Sequence, residues 1–292
     1  MLVNLAKLVM PAAESGYAVA CFNVFGWEDA RAVVKAAESL GAPVVLAANV
    51  NFRQFMPLEV IAAMLRKLAE DTSVQVCAHL DHCYEIEEVL RAIDAGFTSV
   101  MYDGSQLSLA ENIAGTRRVA QYAHAAGCSV EGEIGSVPYA EGRAHIKTER
   151  TRVADAARLA EASELDALAI SIGNIHRLST PGAKIDFALL AQIEAAVRTP
   201  LVIHGTSGIF AEDIARLAAS RVAKFNIGTV LRQAFGRTLR ETLARHPERF
   251  DRIEIMTDVM GGMEAAAAHM IRLLGWDARA HPDYGHQLAW AR

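Results

Sequence analysis

Three apolar runs in this chain stop on a histidine. Val74–Leu80 leads into Asp81-His82, Ala167–Ile175 leads into His176, and Pro200–Ile203 leads into His204. A buried strand that ends on an imidazole presents that ring at the edge of the core. Three such rings suit a catalytic metal, which takes three protein ligands and keeps one position open. Asp81, next to the first ring, is placed for general acid–base work.

Other strand ends carry polar groups as well. They supply Asn23, Asn49, Asp103-Gly-Ser105, and the pair Glu131 and Glu133. The segments His204-Gly-Thr-Ser-Gly208 and Asn226-Ile-Gly-Thr229 are glycine- and hydroxyl-rich and open onto helical patterns. Backbone N–H groups there can cradle a phosphate, with Gly205, Ser207, Asn226 and Thr229 as contacts. The same residues can equally serve as helix caps.

The elements that must position these groups alternate. Strands are expected at Ala18–Asn23, Pro43–Ala48, Val74–Leu80, Ser99–Asp103, Ser129–Glu133, Ala167–Gly173, Leu201–His204 and Val222–Ile227. Helical spacing falls between them, at Trp27–Ser39, Leu58–Glu70, Ile86–Ala95, Ser108–Ala125, Val153–Ser163, Phe187–Ala196 and Ala211–Ser220, and a last run, Thr229–Ala244, follows the eighth strand. Eight βα units with strands apolar on both faces predict a (β/α)8 TIM barrel. An extra N-terminal helix near Leu5–Glu14 would close the bottom, and a C-terminal helix near Val259–Leu274 would pack outside. No composition break divides the chain, so residues 1–292 read as one barrel domain. The longest unassigned segment, Ile134–Thr151, follows the fifth strand, where long loops are often active-site lids.

Composition narrows the function. With 29 basic against 34 acidic residues the net charge is −5, and no basic stripe supports nucleic-acid binding. Cys21, Cys77, Cys83 and Cys128 form no CxxC pair and read as free thiols of a reducing compartment. Cys83 is not expected to be a ligand merely because it adjoins His82. No signal-peptide pattern or membrane span is present in the sequence, so a cytoplasmic protein is expected.

The motifs taken together resemble the class II, zinc-dependent ketose-bisphosphate aldolases, particularly the tagatose- and fructose-bisphosphate branch. The matching segments run from Gly16-Tyr-Ala-Val-Ala-Cys-Phe-Asn23 through His79-Leu-Asp-His82, Met101-Tyr-Asp-Gly-Ser105 and Ser129-Val-Glu-Gly-Glu-Ile-Gly135. They continue through Ile172-Gly-Asn-Ile-His176, Lys184-Ile-Asp-Phe187, Val202-Ile-His-Gly-Thr-Ser-Gly208 and Lys224-Phe-Asn226. The resemblance implies one Zn²⁺ per chain held by His82, His176 and His204, with Asp103 and Glu133 lining an alternative metal position and a monovalent cation nearby. It makes Asp81 the acid–base group at the aldehyde oxygen. It also places a second proton-transfer group at Glu141, eight residues after Glu133. The expected reaction is reversible retro-aldol cleavage of a phosphorylated ketose to dihydroxyacetone phosphate and an aldehyde, in a homodimer or homotetramer.

Four departures bear on the substrate. Arg177 stands where the family usually has glycine, and either blocks the phosphate and cation position or replaces it with a bidentate phosphate contact. The loop reads Pro138-Tyr-Ala-Glu-Gly142 in place of Gly-Gly-x-Glu-Asp. The eighth exit reads Asn226-Ile-Gly-Thr-Val230, without the usual acid. The second-phosphate arginine has its nearest match in Asp251-Arg252, one residue out of register. A ketose monophosphate, or another sugar, therefore stays open as substrate. Rival readings are a Schiff-base aldolase using Lys224, for which a pairing or packing role is the simpler account, a metal-dependent hydrolase, and a non-catalytic barrel subunit supporting a partner aldolase.

Overall fold

The computed structural model describes residues 1–141 and 148–276. Eight strands, β1 (Val19–Asn23), β2 (Val44–Ala48), β3 (Val76–Cys83), β4 (Ser99–Tyr102), β5 (Ser129–Ile134), β6 (Ala167–Ile170), β7 (Leu201–Ile203) and β8 (Val222–Ile227), form a closed parallel barrel in chain order. It closes where Cys21 of β1 faces Asn226 of β8. The eight-stranded βα reading is therefore correct.

Helices lie between the strands because their apolar residues recur every three or four positions. In Leu58–Glu70 the buried set is Leu58, Ile61, Ala62, Leu65, Leu68 and Ala69, one stripe along the helix. Leu109–Ala125 begins at a capping box, in which Ser108 accepts from the Glu111 N–H and Glu111 accepts from the Ser108 N–H. Ala6–Ser15 buries Leu8, Val9 and Ala12, and its first N–H bonds to the Ser129 hydroxyl at the start of β5, which places it at the bottom of the barrel.

Three differences from the sequence reading matter. The strand β6 stops at Ile170 rather than Gly173, because Gly173 takes φ +107 with its α-carbon against the Lys184 carbonyl. His176 is thus carried by a turn six residues beyond the strand. A short helix, Val50–Phe55, follows β2 directly, capped by the Asn49 side chain, which accepts from the Phe52 N–H. The outer helix starts early, at Arg252, since Asp251 caps it by accepting from the Ile253 and Glu254 N–H groups.

Both described ends of the loop after β5 are anchored. Ser136 pairs with Glu149, and Tyr139 pairs with His176. Residue Gly142 and the tail from residue 277 onward lie outside the described residues.

Candidate active site

At the carboxyl end of the barrel one cavity of about 140 Å³ is lined by Asp81, His82, His176 and His204 together with Asn23, Asn49, Arg177, Gly205, Ser207, Asn226 and Thr229. The strand-exit residues read from the sequence thus converge on one space. Asp103 and Glu133 lie behind His82 in an adjoining cavity.

Asp81 and His82 are consecutive, so in a regular strand they would point to opposite faces. The β3–β4 register shifts between Leu80 and Cys83, and His82 adopts a left-handed φ of +44. That local break turns both side chains toward the cavity. Arg53 holds the distorted backbone: its guanidinium donates to the Asp81 carbonyl at 2.8 Å, the His82 carbonyl at 3.1 Å and the Ala48 carbonyl at 2.9 Å. Glu88 in turn accepts from Arg53 Nε at 2.9 Å. A single arginine in a short helix gives no sequence signal of this kind, and it was not anticipated.

His176 is held by its turn. Asn174 accepts from the Ile172 N–H at 2.9 Å and donates to the His204 carbonyl at 2.9 Å, tying this turn to the end of β7. Gly205 permits the contact, since a Cβ there would lie 2.4 Å from the Ile175 carbonyl oxygen. Tyr139 stacks on the His176 ring at 4.6 Å.

The three imidazoles fit a divalent metal. Their ligand atoms lie within 4.8 Å of one another, and a second group, His82, Asp103 and Glu133, shares His82. His82 Nδ1 donates to Asp103 at 2.9 Å and His204 Nε2 donates to Glu131 at 2.9 Å. Carboxylates behind both rings fix the tautomers and leave the opposite nitrogens as lone pairs. Those nitrogens, His82 Nε2 and His204 Nδ1, face each other at 2.9 Å. At that distance the pair needs a proton or a metal cation between or beside the two nitrogens. The field favours one: burial would keep the His82 ring neutral, but Asp81 and Asp103 outweigh it and push its pKa well above the ordinary value.

Asp81 accepts from Asn226 Nδ2 at 2.8 Å. Burial opposes its charge, yet the His82 and His204 rings hold its carboxyl well below the usual carboxylate range. It is held ionised, with both oxygens able to accept hydrogen bonds. Lys224 is wholly buried, donating to Glu131 at 2.7 Å and Asn226 at 2.6 Å. Its pKa is raised and it does not line the cavity, the opposite of what a Schiff-base lysine needs.

The glycine- and hydroxyl-rich exits of the seventh and eighth strands are also assembled. Thr229 opens the helix Thr229–Arg245 with Gly228 as its cap, and Ser207 sits in the 3₁₀ turn Thr206–Gly208. The Thr206 hydroxyl donates to the Asn226 carbonyl at 2.8 Å and joins the two exits. Arg177 lines the cavity at a left-handed φ of +60, with its guanidinium 5.5 Å from the Tyr139 ring centre. A glycine would meet that backbone demand without strain. Glu141 does not line the cavity; its carboxylate is 74% exposed and 3.9 Å from Arg177. Arg232, overlooked in the sequence, lines the same mouth. Arg252, the out-of-register candidate, pairs instead with Glu28 at 2.8 Å.

Residues 3–279 match the model of the family described as fructose-bisphosphate aldolase class-II. The chain belongs to this family. It is a lyase of the metal-dependent class II type, and the subunit without catalysis is set aside. The aldolase is 34% identical over 276 residues to the 6-phospho-5-dehydro-2-deoxy-D-gluconate aldolase of Shouchella clausii, covering 94% of each chain. It also resembles the crystal structure of the YdjI aldolase from Escherichia coli K12, with TM-score 0.83, 30% identity, and coverage of 96% of this chain and 100% of that one. The fructose-bisphosphate aldolase of Campylobacter jejuni shares the fold, with TM-score 0.78 at 23% identity over 94% of this chain and 95% of that one. Among the described residues no helix is long and apolar enough to cross a membrane.

Proposed function

We propose that this aldolase uses zinc, held by His82, His176 and His204, to cleave a phosphorylated ketose reversibly into dihydroxyacetone phosphate and an aldehyde. The observation that carries the reading is the convergence of the three imidazoles on one cavity with an ionised Asp81 beside them. The ion supplies Lewis-acid polarisation of the ketose carbonyl.

The protein's own groups handle the protons. Breaking the bond between C3 and C4 leaves its electron pair on C3 as an enediolate and sends the C4 hydroxyl proton to Asp81. The enediolate is reprotonated at C3, the role assigned to Glu141, whose carboxylate must leave Arg177 and enter the cavity to perform it. Ser207, Thr229 and the backbone at Gly205 hold the phosphate at a helix N-terminus. Asn23 Oδ1 is buried without a partner among the described residues, and a substrate hydroxyl would satisfy it.

Arg177 and Arg232 both line the mouth, which suits a second anionic group on the substrate. The keto-acid named in the Shouchella relative favours a carboxylate there as a second reading beside a second phosphate. The test is a panel of phosphorylated ketoses and keto-acids assayed for dihydroxyacetone phosphate, with and without chelator. Release from at least one substrate, abolished by chelator and restored by zinc, is expected. Release that survives chelation but is trapped by borohydride would overturn the assignment.

A further inference from the structure

The geometry points to Lys224 as the positioning residue that couples the metal side of the site to its acid–base side. The inference rests on the reading of His204 as a ligand and Asp81 as the base.

A single ammonium reaches both halves. Lys224 Nζ donates to Glu131 Oε2 at 2.7 Å, while the other oxygen, Oε1, accepts from His204 Nε2 at 2.9 Å. Lys224 Nζ also donates to Asn226 Oδ1 at 2.6 Å, while Asn226 Nδ2 donates to Asp81 at 2.8 Å. Each bridge is polar in one direction only. An ammonium has donors and no acceptor, so the Asn226 carbonyl must face it and the amide N–H must face Asp81. Were the amide reversed, its oxygen would meet the carboxylate, two acceptors with no proton between them. On the other branch, the ammonium occupies Glu131 Oε2 at 2.7 Å and leaves Oε1 to face His204 Nε2 at 2.9 Å. A carboxylate paired with an ammonium meets the imidazole as an acceptor, so His204 carries its proton on Nε2 and turns Nδ1 to the cavity.

The register makes this possible. Lys224 and Asn226 alternate inward on β8, and both Lys224 and Glu131 are fully buried. His79 Nε2, buried without a hydrogen-bond partner, lies 3.8 Å from Glu131 Oε2. It is the next group that could draw Oε2 away if the ammonium were absent. A buried ion pair is a poor source of stability, so two acceptors aligned on one lysine, each with its own onward bond, call for another explanation, and orientation of the two working groups provides it.

The experiment uses the full chain with Lys224→Met, and with the double variant Lys224→Met/Glu131→Gln, which leaves no lone buried charge should the single variant fail to fold. Three readouts are taken: kcat and KM, zinc affinity by chelator competition, and the histidine tautomers of the metal-free protein by nitrogen NMR. For whichever variant folds, kcat should fall about 10–100-fold and zinc affinity by a similar factor, the usual scale for groups behind a ligand. KM should stay within about threefold, since substrate contacts are untouched, and His204 should show mixed tautomers. A folded double variant with wild-type kcat, wild-type zinc affinity and one His204 tautomer would overturn the proposal. Failure of the ligand reading is seen separately, as zinc retained by His204→Ala.

Discussion

At the floor of the cavity Asp81, His204 and Asn226 are set on or directly after strands, buried, and bonded at 2.8–2.9 Å. At its rim Arg177 and Glu141 sit on loops, 28% and 74% exposed and 3.9 Å apart. The floor is fixed by strand register, with carboxylates and Lys224 behind it. The rim rests on two backbone hydrogen bonds between the loop and the His176 turn, one ring stack, one long ion pair and a strained backbone. Departures from the family pattern at Pro138–Tyr139 and Arg177 fall on the rim and touch each other there. The proposed metal ligands and Asp81 are thus separated in space from Arg177, proposed to meet the substrate, and from Glu141, which must move in from the rim to take its proposed part in proton transfer.

The largest effect expected from breaking this division is at the floor. His204→Ala removes one of the three proposed ligands and the Glu131 contact that orients it. Elemental analysis should find about one zinc per wild-type chain and almost none in the variant, given a three-ligand site, with activity lost alongside. Retention of metal by the variant would move the site elsewhere, to His82, Asp103 and Glu133 in the first instance.

Asp81→Asn tests whether floor residues divide their labour. The amide preserves size and the Asn226 neighbour while removing the proton acceptor, so kcat should fall by roughly 10² or more with zinc content unchanged. Metal lost together with activity would make Asp81 a ligand.

At the rim the expected change is smaller and differently distributed. Arg177→Gly removes a guanidinium from the cavity mouth and should raise KM about tenfold, near the worth of one charge-assisted hydrogen bond. Zinc content and kcat should hold. Since φ is +60 there, the variant also loses about 1 kcal/mol of backbone strain, and thermal midpoint should not drop. An unchanged KM would return substrate binding to Gly205, Ser207 and Thr229 alone.

The same division explains what the sequence disclosed. Strand positions were legible because parallel barrel strands are apolar on both faces, and Asp81, His82 and His204 were legible because they interrupt or end such runs. His176 was found for an incomplete reason: its apolar approach continues past the strand through a turn that Asn174 holds, and hydropathy does not separate the two. Arg53, Arg232 and Tyr139 act through contacts made across long stretches of chain. One arginine or tyrosine in a helix or loop has no periodic signature, so only the fold assigns it. Lys224 was visible as an anomaly on a buried strand, but its partners, 93 residues and two residues away, are set by barrel closure.

The smallest expected effect lies just outside the rim. Asp29 begins the helix Trp27–Leu40 and accepts from the Phe25 N–H at 2.7 Å, beside an apolar cavity lined by Phe25, Leu231, Phe235 and Met256. Burial, the main cause, lifts its carboxyl pKa from 3.8 to about 6. The folded state therefore holds the proton more tightly than the unfolded chain. The contribution of Asp29 to stability is greatest below the unfolded value and declines as pH rises through the window from 3.8 to about 6. Asp29→Asn keeps a carbonyl oxygen for Phe25 but cannot ionise. At pH 8 it should be more stable than wild type by about 1–2 kcal/mol, a shift of one to two pKa units discounted for partial exposure. At pH 4 the two proteins should unfold at nearly the same denaturant concentration. Because the residue is remote from the zinc ligands, kcat should not change; a fall in kcat would mean that the rim and the apolar cavity share more than Arg232, and that the separation from the floor is incomplete.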